Sequence, residues 1–174
     1  MRRGPPGAWP ILRVMVRPAR RLALLAAAAV TLAALAGGQP AIAAARPWAT
    51  VNLCDPPGQP GAVGVRVGMP AGPGSQWIRV RIEYYDAAAR RYRPAGNGGD
   101  GGWTRLGDGS TGVLGGTTFR FAVPAAGHQL ILRGTVSLQW RRGARAVRRA
   151  SVRTLPGHTA QAGGTSLAQC VIRR

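Results

Sequence analysis

The sequence predicts an all-β domain: a two-sheet β-sandwich of immunoglobulin- or fibronectin-like type, with about eight strands. Three observations carry this. Apolar and polar residues alternate at period 2 through short segments, those segments are separated by clusters of Gly, Pro, Asp and Ser, and no convincing stretch has the apolar spacing of an amphipathic helix. A closed barrel would satisfy the same alternation.

Residues 1–45 precede this pattern and have the three-part layout of an export signal. Arginines at Arg13, Arg17, Arg20 and Arg21 lead into the apolar run 22–36, which is followed by Gly37, Gly38 and Pro40 and then AIAAA. Cleavage fits after Ala43 or after Ala45, and Met15 is an alternative start. The apolar run falls short of the roughly 20 residues that span a bilayer, so membrane contact is expected only through an uncleaved signal segment.

The strands follow in order. Residues 50–54 make the first, ended by DPPGQPG. In AVGVRVGM, Val63, Val65, Val67 and Met69 share one face, and Arg66 lies on the other. In QWIRVRIEYY, Ile78, Val80, Ile82 and Tyr84 point one way, while Trp77, Arg79, Arg81, Glu83 and Tyr85 point the other. A turn at 86–90 leads to a short return strand, 91–94, which Pro94 confines to an edge or a strand end. The loop GNGGDGG, a strand at 103–106 and the loop GDGSTG come next. TTFRFAVP then puts Phe119, Phe121 and Val123 inward and Arg120 outward. The longest strand is QLILRGTVSLQW, whose even positions from Leu130 to Trp140 form an apolar face, with Arg133 on the polar one. Arg142-Gly143 turns the chain into 145–154, whose mixed parity and arginines fit a sheet edge, and 167–172 closes the domain.

The chain carries 24 basic residues against 5 acidic ones, and all of the basic residues are arginine. A GC-rich genome explains the absence of lysine better than phosphate recognition does, so nucleic acid is not indicated as a partner. Six of the arginines precede Ala43, which leaves the exported part strongly basic as well. It holds both cysteines, Cys54 and Cys170. In an oxidising compartment one bridge is the default reading, and two buried free thiols are the alternative.

Several short elements, WATVNLCD (48–55), LRG leading into the strand that ends at Trp140, AVRRAS (146–151), PGH (156–158) and SLAQC (166–170), make a likeness. Through them the sequence resembles uncharacterised small exported proteins of high-GC actinobacteria. The resemblance implies export and pairing of Cys54 with Cys170, and it brings no activity with it.

Chemistry-bearing residues are few: His128 and His158, with Asp55, Glu83, Asp86, Asp100 and Asp108. No nucleophile elbow, HExxH or Walker loop is present. No catalytic residue, cofactor or metal is assigned on this inventory. GNGGDGG resembles one turn of a calcium-binding glycine-rich repeat, but such repeats must recur to build a site. Glu83, set among arginines, reads as a surface ion pair.

The expectation is therefore an exported, non-enzymatic binding or structural module, at the cell surface or in the medium. Its partner would be an anionic cell-envelope polymer or another exported protein. A sharper alternative is a polyanion-binding protein taking an anionic wall polymer, an acidic polysaccharide or a phospholipid. It would use Arg66, Arg79, Arg81, Arg120 and Arg133, with Trp77 and Tyr85 beside them, provided that their strands share a sheet. Against it stands the ordinary need of a sandwich for a polar outer face. A small secreted hydrolase using loop Asp and His is the least favoured class.

Overall fold

A computed structural model describes residues 46–174, which form one compact unit; the signal-peptide assignment to 1–45 lies outside the described residues. The period-2 segments become strands because each buries one parity and wets the other. They are β1 (Trp48–Cys54), β2 (Ala62–Met69), β3 (Ser75–Asp86), β4 (Arg91–Pro94), β5 (Asp100–Gly107), β6 (Val113–Arg120), β7 (Gln129–Arg142), β8 (Arg145–Arg153) and β9 (Cys170–Arg173). A single helical turn, α1 (Thr159–Ala162), precedes β9. The described residues thus hold nine strands where about eight were expected.

The strands form two antiparallel sheets. One has the order β1-β2-β6, and the other is six-stranded and built on the β3-β7 pair. β4 and β5 follow one another along one edge of β3, and β9 and β8 share the far edge of β7. Between the sheets, Val63, Val65, Val67 and Met69 meet Ile78, Val80, Ile82, Val136, Leu138 and Trp140, all buried. Gly134 interrupts the inward row of β7 because a Cβ there would come within 2.8 Å of the Thr154 methyl and 3.0 Å of Val65.

Cys54 and Cys170 form a disulfide, with their Cα atoms 5.2 Å apart. The bridge joins the first strand of one sheet to the last strand of the other. A bulge makes this reach geometrically available. The β1–β2 register slips between Val51 and Leu53, and the inserted residue turns Cys54 to the side of Val63, which faces the core.

Four strands have boundaries that differ from expectation. β1 and β5 begin earlier, and β9 is confined to Cys170–Arg173, Leu167 making only a single bridge to Val51. β6 is displaced toward the N-terminus: it starts at Val113 and ends at Arg120 rather than at the proline. Its partner sets this limit, since β2 begins at Ala62, opposite Arg120, so the ladder has no strand to pair with beyond that point. Phe121 still packs against the core, but Val123, expected inward, is 38% exposed.

Candidate functional site

The outward face of the six-stranded sheet carries most of the residues singled out in the sequence. Register sets them in rows. Arg105, Trp77, Gln139 and Arg149 stand side by side across β5, β3, β7 and β8, and Trp103, Arg79, Ser137 and Ser151 form the next row.

The five arginines proposed as one cationic plate do not share a sheet. Arg79, Arg81 and Arg133 lie on this face, as do Trp77 and Tyr85, whereas Arg66 and Arg120 lie on β2 and β6 in the three-stranded sheet. Period-2 parity says that a residue points away from the core. It cannot say on which of two sheets it does so.

The three arginines on the face are also neutralised. Asp100 accepts from Arg79, with Nε at 2.8 Å, and from Arg81 Nε at 3.3 Å. Glu83 accepts from Arg133 Nε at 2.7 Å, as the sequence suggested for that carboxylate, and the Arg133 guanidinium lies 3.6 Å over the Tyr92 ring. Tyr85 packs against Tyr92 at 5.3 Å. This end of the face is an ion-paired, aromatic-covered surface.

The other end is different. The Arg141 guanidinium lies 4.5 Å from the centre of the Trp77 ring and 4.8 Å from that of Trp103, and its Nε donates to Gln139 Oε1 at 2.8 Å. Two indoles and an amide therefore hold it in one orientation, and its planar fork keeps donors for a carboxylate, phosphate or sulfate. Arg148 lies over the Trp140 ring at 4.5 Å on the same hairpin. All five acids of the chain lie within the described residues. Their ionic partners are Arg79, Arg81, Arg93, Arg133 and Arg174, while Asp108 accepts from Ser110. Arg141, Arg142, Arg145, Arg148, Arg149 and Arg153 form no ion pair among the described residues, and Arg105 forms none either but lies close enough to Asp108 to lower its pKa.

Arg141 was not singled out in the sequence, where the strand ends at Trp140 and the turn is placed at Arg142-Gly143. Carrying the odd parity of β7 one residue further would have put Arg141 outward. Its position between Trp77 and Trp103 depends on three strands meeting, and no local pattern encodes that.

The aspartates are poorly suited to proton transfer near neutrality, which requires a raised pKa. All four aspartates are shifted the other way. Arg174 holds Asp55 down, the Ala89 N–H holds Asp86, the Arg79 guanidinium holds Asp100 far below the usual range, and the Ser110 hydroxyl holds Asp108. His128 is exposed in the turn before β7, and His158 stacks on Trp48; neither side chain hydrogen-bonds a carboxylate among the described residues. With Asp100 engaged by two guanidinium groups, the glycine loop supplies no cluster of three or more metal-ligating His, Cys, Asp or Glu among the described residues. No protein-family model, curated protein or solved structure matches the chain.

Proposed function

We propose that this chain is an exported, non-enzymatic binding module that engages anionic polymers of the cell envelope or its surroundings. The observation that carries the reading is the segregation of charge on one sheet. Glu83, Asp86 and Asp100 gather toward one end, and Arg105, Arg141 and Arg149 stand with two tryptophans at the other, where Asp108, just past β5 and beside Arg105, is the one carboxylate among the described residues. A guanidinium already held in place loses less conformational freedom when it binds an oxyanion than one on a flexible side chain. Flanking aromatic and Ser/Gln positions suit an extended polymer lying across the strands.

Export is supported by the three-part leader, by the disulfide, which persists in oxidising compartments, and by the resemblance to small exported actinobacterial proteins. The immunoglobulin- or fibronectin-like character of the sandwich belongs to the same proposal. It is supported by two antiparallel sheets enclosing inward-facing apolar rows.

The test is chromatography of the purified, oxidised protein on heparin and on wall polymer, eluted with rising salt. Retention that falls steeply with ionic strength is expected. The Arg105→Gln, Arg141→Gln, Arg149→Gln triple variant should elute at clearly lower salt than a variant with Arg79, Arg81 and Arg133 changed to Gln. Equal retention of the triple variant and the parent protein would overturn the proposal.

A further inference from the structure

A second feature lies away from the arginine-tryptophan face, where β1 meets the chain leaving β8. Here the structure leaves a cleft of about 600 Å³, lined by Trp48, Val152, Leu155 and His158, with Arg46 and Arg153 also on its wall. That volume is in the range of sites that bury a small organic molecule.

The walls are fixed by bonds that the cleft itself does not need. The Leu155 N–H donates to the Ala49 carbonyl at 2.9 Å and Thr154 bridges to Ala49, so the segment after β8 is tied to β1. The His158 N–H donates to Ser166 Oγ at 3.1 Å, and that hydroxyl hydrogen-bonds Thr50 Oγ1 at 2.8 Å. These contacts hold the imidazole flat on the Trp48 indole, with ring centres 4.2 Å apart and planes 6° from parallel. Trp48 itself lies over Gly68, where a Cβ would come within 2.2 Å of the indole, so the stack has a firm backing.

Within this rigid frame, Leu155 leaves 61% of its surface in water although its backbone is fixed. Fixed, exposed apolar surface beside an aromatic stack gains by being covered. The charge around it is of one sign. Every acid of the chain is engaged elsewhere, so Arg46 and Arg153 have no carboxylate partner among the described residues.

We infer that this cleft binds a single amphiphilic carboxylate, its aliphatic or aromatic body covering Leu155, Val152 and the Trp48–His158 stack and its carboxylate meeting Arg46 and Arg153. A neutral ligand of the same body forgoes the ionic contacts, and a cationic one meets like charge. The inference does not use Arg105, Arg141 or Arg149, though Arg153 stands on the outer side of β8 in the same sheet.

The experiment titrates the purified, oxidised protein with 11-(dansylamino)undecanoic acid and, separately, with its methyl ester, following dansyl emission. The acid is expected to saturate at one molecule per chain and to bind about fivefold or more tighter than the ester. In the Arg46→Gln, Arg153→Gln variant the acid should weaken to the level of the ester, while Trp48→Ala should weaken both. Both arginine changes are on the surface, so that arm does not depend on Trp48→Ala folding. Equal binding of acid and ester by the parent protein, a preference that survives in the double variant, or no saturable binding would each overturn the inference. So would a dimer that Trp48→Ala or Leu155→Ser converts to a monomer, because the cleft would then be covered by a second copy.

Discussion

Asp100 holds Arg79 from the neighbouring strand by a two-point ion pair, its Oδ1 accepting from Arg79 Nε at 2.8 Å and its Oδ2 from Nη2. The same carboxylate takes Arg81 Nε at 3.3 Å, so one acid quenches two of the arginines that the sequence offers as a binding plate. Its location at the β4–β5 end of the sheet leaves the β7–β8 hairpin with its positive charge intact.

Asp100→Asn should lower the melting temperature at pH 7 by roughly 3–6 °C, the shift that about 1 kcal/mol produces in a domain of this size. The effect should depend on pH in a defined sense. The Arg79 guanidinium depresses the Asp100 pKa below its usual 3.8 in the folded chain. The unfolded chain therefore takes up the proton first as pH falls. The stabilisation is fully present above that usual value and is lost as pH drops toward the lower folded value. The gap between parent and variant should narrow progressively in melts at pH 7, 4, 3 and 2; a constant gap would contradict the ion-pair account.

The same substitution releases Arg79 and Arg81 from their shared carboxylate. If the outward face binds polyanions, Asp100→Asn should need more salt for elution from heparin than the parent protein. Elution at unchanged salt would show that these two positions lie outside the contact surface.

Thr154 is buried and joins two elements through one hydroxyl: Oγ1 accepts from the Gly134 N–H at 3.0 Å and donates to the Ala168 carbonyl at 2.6 Å. Thr154→Val keeps the shape and removes both bonds. It should cost about 2–3 kcal/mol in urea denaturation, the penalty of buried polar groups left unpaired, while Thr154→Ser should retain most of the stability.

The Cys54–Cys170 bridge spans 116 residues. Changing both cysteines to Ser should destabilise the domain by about 3–5 kcal/mol, most of it through the greater freedom of the unfolded chain. Urea melts of the double variant and of the reduced parent protein should agree. A much larger loss in the reduced parent would implicate the buried thiols themselves.

Much of this fold is legible in the sequence because burial enforces the period. In β7 the even residues Leu132, Val136, Leu138 and Trp140 are all buried, and in β3 Ile78, Val80 and Ile82 are too. Such a row survives because a polar residue in it loses its water and must find partners, as buried Gln76 at the start of the β3 row does by donating its amide to the Pro70 and Thr111 carbonyls. The irregular returning strand is explained only by its register. A slip between Trp140 and Arg141 sets Val147 outside the ladder, so Ala150 and Val152 face inward with Arg148 while Ala146 pairs with Arg141. A bulge is one extra residue with no composition of its own, and alternation cannot announce it.

By itself the sequence determined which residues turn inward along most strands, that the architecture is all-β, and that two cysteines were available to close it. Each of these rests on local pattern or on chemistry that a residue carries wherever it sits. Only the tertiary structure decided that Arg66 and Arg120 belong to a different sheet from Arg79, and that Asp100 and Glu83 silence Arg79, Arg81 and Arg133. It alone placed Arg141 between Trp77 and Trp103. Those outcomes depend on which strands pair and in what register, contacts between residues tens of positions apart. There the electrostatic state of an arginine is set by its neighbours in space, not by its neighbours in the chain.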